Sequence, residues 1–122
     1  MIAAVVATAI LAALSGLQVL VAAGRPYGRL VWGGHHRVLP RRLRVGSAAS
    51  VPVYATIASL LLWRSGAWGA PPDFAVIATW VAFGYFVLGI ALNAISRSRP
   101  ERLVMTPTCV ALAVCSLLEA LS

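Results

Sequence analysis

The chain consists of four long apolar runs separated by short polar connections. The runs cover about residues 2–23, 45–63, 74–95 and 103–121. At about 1.5 Å per helical residue, each run is long enough to cross the ~30 Å hydrocarbon layer of a bilayer. Hydrocarbon offers the backbone no hydrogen-bond partners, so such spans are helical. We therefore predict an all-α fold: one domain over residues 1–122, a four-helix transmembrane bundle made of two helical hairpins.

The composition excludes the soluble classes of protein. Hydrophobic residues make up 61% of the 122 residues and charged residues only 11%, where a soluble domain carries about 25% charged residues. A soluble domain of this size buries roughly two thirds of its surface, which is too little to cover so many apolar side chains.

The two cysteines, Cys109 and Cys115, lie about 240° apart on a helix and cannot pair with each other. The first run lacks the positive flank of a signal peptide, so we expect it to stay in the mature protein.

The basic residues predict the direction of the helices. All ten are arginines, against three acidic residues, for a net charge of +7. Nine of them lie in two connections, residues 24–44 and 96–102, and the tenth is Arg64. The positive-inside rule places both connections in the cytoplasm and both termini outside. Because the arginines separate apolar runs and form no soluble basic domain, we expect no nucleic-acid partner.

The first basic connection is the strongest candidate for a binding surface. It interleaves arginines with aromatic and aliphatic residues, which is typical of a segment that lies in the membrane interface. Guanidinium groups form paired hydrogen bonds with phosphates, so we expect anionic lipid headgroups as partners and leave open a homo-oligomer or a membrane-protein partner. The candidate binding residues are Arg25, Arg29, Trp32, His35, His36, Arg37, Arg41 and Arg42. No acid or cysteine accompanies the paired histidines in this connection, so we predict no metal site and no cofactor.

The spans contain no ionisable side chain at mid-depth, and no catalytic residue is assigned. The main intramembrane polar candidates are Gln18 and Asn93, which lie at similar depth near the inner ends of the first and third spans. They either hydrogen-bond each other or line a polar cup for a headgroup or an ion. Glu119, near the outer end of the fourth span, is expected to reach water.

Two local patterns flank the later helices. Residues 98–101, Ser-Arg-Pro-Glu, have the spacing of a capping box, in which the serine accepts from the third backbone N–H and the glutamate reaches back. The pattern Pro-x-Arg-Leu occurs at residues 40–43 and again at 100–103. A duplicated helical hairpin would produce this echo, as would the shared demands of two helix starts.

Three segments carry a resemblance to known proteins. Residues 28–40 (GRLVWGGHHRVLP), 83–86 (FGYF) and 93–102 (NAISRSRPER) resemble a group of small uncharacterised bacterial integral membrane proteins with four helices. The likeness covers about residues 24–110. It implies a multi-pass protein of the bacterial inner membrane and carries no activity with it.

Three hypotheses for function follow. The first is a non-catalytic accessory or interaction protein whose arginine-rich cytoplasmic face engages anionic lipid or a protein partner. The second is an oligomeric transporter or channel for a small solute or ion, with Gln18 and Asn93 along its path. The third is an enzyme that modifies lipid headgroups, with His35 or His36 as base beside Arg37 and Glu101.

Overall fold

The computed structural model describes all residues 1–122 and is entirely helical. The four long helices are α1 (Ile2–Ala22), α2 (Arg41–Arg64), α3 (Asp73–Ala94) and α4 (Arg99–Leu121), with two short 3₁₀ helices, Gly28–Leu30 and Trp32–Gly34, between α1 and α2. All four long helices are long and apolar enough to cross a membrane, which confirms the prediction of an all-helical, multi-pass membrane protein. Helices α2 and α4 begin before the apolar runs do, because an arginine-rich first turn makes the same backbone hydrogen bonds as an apolar one.

The core lies along α1 and α4. Helix α1 packs against α2 and α4, and α3 packs against α4, whereas α2 and α3 meet over a smaller area. Small residues such as Ala4, Ala7 and Ala113 are buried in this core and let the helices approach closely. Large apolar side chains such as Ile77 (69% exposed) and Val81 (67% exposed) point outward. An apolar exterior of this kind is favourable only in lipid.

The two arginine-rich connections meet at one end of the molecule, which we call the basic end. The first loop, residues 23–40, contacts the connection between α3 and α4, where the Ser98 hydroxyl donates a hydrogen bond to the carbonyl of Arg29. The opposite end, which we call the far end, holds both termini, and there the Arg64 guanidinium donates to the carbonyl of Ser122. The nine arginines and the chain termini therefore lie at opposite ends of the helices.

Glu119 is buried at the far end, so the prediction that it reaches water is wrong. Its side chain is 3% exposed. Its Oε1 accepts from the backbone N–H of Ala4 at 3.2 Å and lies 3.4 Å from the N-terminal ammonium of Met1. The first N–H groups of a helix have no partner within it, and a negative charge is favourable at that end of the helix dipole. Glu119 of α4 thus caps the start of α1. The two residues are 115 positions apart in the chain, so no local sequence pattern indicates the contact.

Replacing Glu119 with alanine is expected to lower the free energy of unfolding by about 1–3 kcal/mol, because the Ala4 N–H then stays buried without an acceptor. Glu119→Gln keeps an acceptor oxygen and should cost less. Thermal unfolding in detergent micelles, followed by circular dichroism, measures both. The control is Leu118→Ala, which truncates a neighbouring side chain that is 56% exposed. Equal losses for Glu119→Ala and the control would contradict the capping role.

Candidate functional site

The first loop is folded back onto the helix ends at the basic end. The backbone N–H of Gly28 donates to the carbonyl of Arg37 at 2.8 Å, which closes the loop on itself. A small buried apolar cluster joins the loop to α1: it consists of Val31 and Leu39 of the loop and Val21 of the helix. The loop is therefore an ordered cover with its own core.

Trp32 anchors this cover to α2. Its indole Nε1 donates to the Ser47 hydroxyl at 2.9 Å, and its ring lies over Gly46, where a Cβ would stand 2.7 Å from the ring atom Cζ2. Trp32 has a φ of +54°, in the left-handed region that costs a non-glycine residue about 1–2 kcal/mol. The hydrogen bond and the close ring contact offset that cost. The candidate binding residue Trp32 is thus an anchor of the loop, and the residue remains 45% exposed.

Glu101 anchors the same cover to α4. Its carboxylate Oε2 accepts from the backbone N–H of Gly33 at 3.0 Å, and the side chain is 5% exposed. One half of the predicted capping box is present, since the Ser98 hydroxyl accepts from the N–H of Glu101 at 3.5 Å. The other half is wrong: the N–H of Ser98 donates to the Ser96 hydroxyl, because the Glu101 carboxylate is turned towards the loop.

A polar cavity of about 220 Å³ lies between this cover and the helices. A second cavity of about 170 Å³ adjoins it towards the middle of α3 and α4 and shares part of its lining. The polar residues lining the larger cavity are Gln18, Ser50, Tyr54, Asn93, Glu101 and Cys109, with Leu30, Val31 and Trp32 of the loop among its other walls. The two intramembrane polar candidates therefore lie in one cavity.

Gln18 and Asn93 do not hydrogen-bond each other, so that interpretation of their similar depth is wrong. Gln18 Nε2 lies 3.4 Å from the Tyr54 hydroxyl, to which it donates. Asn93 Nδ2 donates to the carbonyl of Gly89 at 2.8 Å and to the sulfur of Cys109 at 3.3 Å. The Gly89 carbonyl lies one turn before Asn93 on the same helix and is within reach of its side chain. Two residues at equal depth on different helices meet only if both side chains point towards each other, which depth alone does not determine.

The arginines of the basic end fall into two groups. Arg44 Nε donates to the carbonyl of Leu39 at 2.9 Å, and Arg102 Nη1 donates to the carbonyl of Ser96 at 3.0 Å, so these two hold the local backbone. The remaining seven are exposed and make no side-chain hydrogen bond to the protein. They are Arg25, Arg29, Arg37, Arg41, Arg42, Arg97 and Arg99.

The two histidines do not form a site with Glu101. His35 is exposed and His36 is half-buried. No histidine or arginine nitrogen lies within 4.0 Å of the Glu101 carboxylate, since the only ion pair in the structure is the one at Met1. The base and acid of the third hypothesis are therefore not in contact. The structure also contains no cluster of three or more His, Cys, Asp or Glu side chains that could hold a metal ion.

Ser50, Tyr54 and Cys109 were not among the candidate residues, yet they line the cavity. One pattern marks this face of α2: Ser47, Ser50 and Tyr54 follow at helical spacing in an otherwise apolar run. Nothing comparable marks Cys109, because a single cysteine in an apolar helix is ordinarily a core residue.

Comparisons with protein-family models, with curated proteins and with solved structures find no match to this chain. The site is therefore interpreted from its own geometry, and the resemblance to small bacterial membrane proteins stays a prediction.

Replacing Gly34 with alanine should release the first loop from α4. Gly34 has a φ of +72°, and a Cβ there would overlap the Cβ of Ser98. We expect roughly tenfold faster trypsin cleavage after Arg29 and Arg37 in detergent micelles, because left-handed strain of about 1–2 kcal/mol adds to the steric clash.

Gly66→Ala is the matched control for this experiment. Gly66, between α2 and α3, has a similar φ of +88°, but a Cβ there would meet nothing within 4 Å. Alanine at position 66 therefore has the same left-handed backbone strain as alanine at position 34, but at the far end and without a steric clash. Cleavage of the first loop should be unchanged in the control, and an equal effect in both variants would show that loop and helix are not locked through Gly34.

Proposed function

We propose that this is a multi-pass protein of a bacterial cytoplasmic membrane whose basic end binds the headgroups of anionic lipids, and that it acts as a non-catalytic accessory protein. One observation carries the proposal. Seven exposed arginines at that end have no partner within the chain, while the only acid there, Glu101, is buried beneath the first loop. The unpaired positive charge is thus free for a partner outside the chain.

The chemistry of guanidinium favours lipid phosphates as that partner. Arginine donates two parallel hydrogen bonds to a phosphate, and each basic residue near an anionic leaflet contributes about 1 kcal/mol. The first loop is held by Trp32 and by the bond between Gly28 and Arg37, so Arg29 and Arg37 project from an ordered segment. Little backbone entropy is then lost on binding. Tyr27, 48% exposed, adds an amphipathic ring of the kind found at headgroup level.

The same charge distribution supports a cytoplasmic basic end with both termini outside. We expect an impermeant maleimide to label Ala67→Cys, between α2 and α3, on intact cells, and to label Val38→Cys, in the first loop, only after the cells are permeabilised. Both positions are exposed in the structure. Each variant is made in a Cys109→Ala, Cys115→Ala background. The reverse labelling pattern would show that the basic end faces outward and the termini face the cytoplasm.

The double variant Arg41→Gln, Arg42→Gln should bind phosphatidylglycerol roughly thirtyfold more weakly, since two contributions of about 1 kcal/mol are lost. Native mass spectrometry of the protein titrated with phosphatidylglycerol measures the change, with phosphatidylcholine as the reference lipid. The control is Arg64→Gln, the one arginine at the far end. Undiminished lipid binding in the double variant would contradict the proposal. If an acidic protein co-purifies with the unmodified chain and is lost from the double variant, the arginines bind a protein partner instead.

Transport by a single chain is disfavoured by the packing of the core. The cavity that holds Gln18 and Asn93 lies on the basic side of a core in which Leu11, Leu61 and Leu112 are at most 1% exposed. Gln18 and Asn93 therefore line a pocket that is closed towards the far end. The transport hypothesis needs an oligomer or a rearrangement of this core.

A further inference from the structure

The cavity beneath the first loop has few free hydrogen-bond donors. Gln18 Nε2 donates to the Tyr54 hydroxyl, and Asn93 Nδ2 donates to Gly89 and Cys109. The Ser50 hydroxyl and the Trp32 indole N–H, which also belong to the lining, donate to α2 itself. The strong donors left in the lining are the Tyr54 O–H and the second N–H of Gln18 Nε2.

Two amide oxygens of the same lining accept no hydrogen bond from the protein. Gln18 is 8% exposed, and its Oε1 is buried without a hydrogen-bond partner. The bonds of Asn93 Nδ2 leave Oδ1 of that amide without a donor from the protein. A buried acceptor without a partner costs about 1–3 kcal/mol, so a donor in the cavity would be stabilising.

Glu101 adds a negative charge to these acceptors. It is 5% exposed, and no arginine or histidine nitrogen lies within 4.0 Å of its carboxylate. Its bond to the Gly33 N–H occupies Oε2. A buried charge without a counter-ion is expensive, and a cation in the cavity would offset that cost.

We propose that this cavity, the acceptor pocket, binds a primary ammonium group, carried either by a small soluble amine or by the ethanolamine headgroup of a lipid. An ammonium group has three N–H donors and one positive charge, which match several oxygens and one carboxylate. A quaternary ammonium lacks N–H donors and is bound by aromatic cages. Ca²⁺ and Mg²⁺ take six or more oxygens, and the pocket has one carboxylate.

The size and surroundings of the pocket fit a small headgroup. Its 220 Å³ equals the volume of roughly seven water molecules at ~30 Å³ each. The exposed arginines of the basic end repel a lone cation, whereas they attract a phosphate attached to the amine. We therefore expect the lipid-borne ethanolamine to bind more tightly than the free amine.

The test uses the full chain in detergent micelles, with Trp63, Trp68 and Trp80 replaced by phenylalanine so that Trp32 at the pocket reports alone. The probes are ethanolamine hydrochloride and dihexanoylphosphatidylethanolamine; the reference compounds are choline chloride, dihexanoylphosphatidylcholine and sodium chloride. We expect a saturable fluorescence change with both ethanolamine probes and none with the reference compounds. Saturation at a tenfold lower concentration of the lipid probe assigns the site to lipid, and equal concentrations assign it to a soluble amine. A rise in the unfolding temperature of the unmodified chain with the same probes is the second measure.

Two variants connect binding to the pocket. Glu101→Gln keeps an oxygen for the Gly33 N–H and removes the charge, so binding should weaken at least tenfold. Gln18→Leu removes the unpartnered oxygen, so binding should weaken while the unfolding temperature holds or rises. Asp73→Asn, at an exposed acid of the far end, is the control and should bind normally.

No saturable response to either ethanolamine probe would overturn the proposal. So would an equal response to choline or sodium, or full affinity in Glu101→Gln. The inference does not rest on binding of anionic lipid by the arginines: phosphatidylglycerol binding should survive Glu101→Gln, so failure of one proposal is distinguishable from failure of the other.

Discussion

The fold depends on backbone N–H groups that find their acceptors on two buried carboxylates of α4. Burial withholds water from such groups, and each one left unpaired costs about 1–3 kcal/mol. Glu119 accepts from Ala4 at the start of α1, and Glu101 accepts from Gly33 in the first loop. The last helix thus holds the first helix at one end and the first loop at the other, although more than 60 residues separate each pair in the chain.

The two carboxylates differ in whether a cation of the chain lies beside them. Glu119 has the terminal ammonium of Met1 beside it, so its charge is paired within the chain. Glu101 shares the basic end with nine arginines, yet none is within 4.0 Å of it. Seven of the guanidiniums are exposed and unpaired, whereas the carboxylate is buried beneath the first loop. The basic end therefore has separated regions of opposite charge, and a ligand with both a phosphate and an amine complements that arrangement.

The apolar runs predicted the four helices because length and hydropathy decide whether a segment can cross a membrane. The two arginine-rich connections were likewise enough to predict that they lie together. The side-chain partners were not predictable, since local rules compete with contacts between distant segments. Glu101 has the spacing to cap its own helix but bonds to Gly33 instead. Gln18 and Asn93 share a depth, but which way each faces around its helix depends on packing, which the sequence pattern leaves open.

The length of the first loop argues that it does more than connect two helices. Neighbouring antiparallel helices are ordinarily joined by about two to eight residues, and much longer ordered loops are usually functional. Here residues 23–40 join α1 to α2, and the path includes a left-handed Trp32 and a glycine pressed against Ser98. This strained path is not needed to turn the chain. Its physical result is a loop that lies across α2 and α4, covers the acceptor pocket and presents Arg29 and Arg37 outward. Strain kept in an ordered loop is typical of functional segments, and the two proposed binding functions lie on or beneath this one.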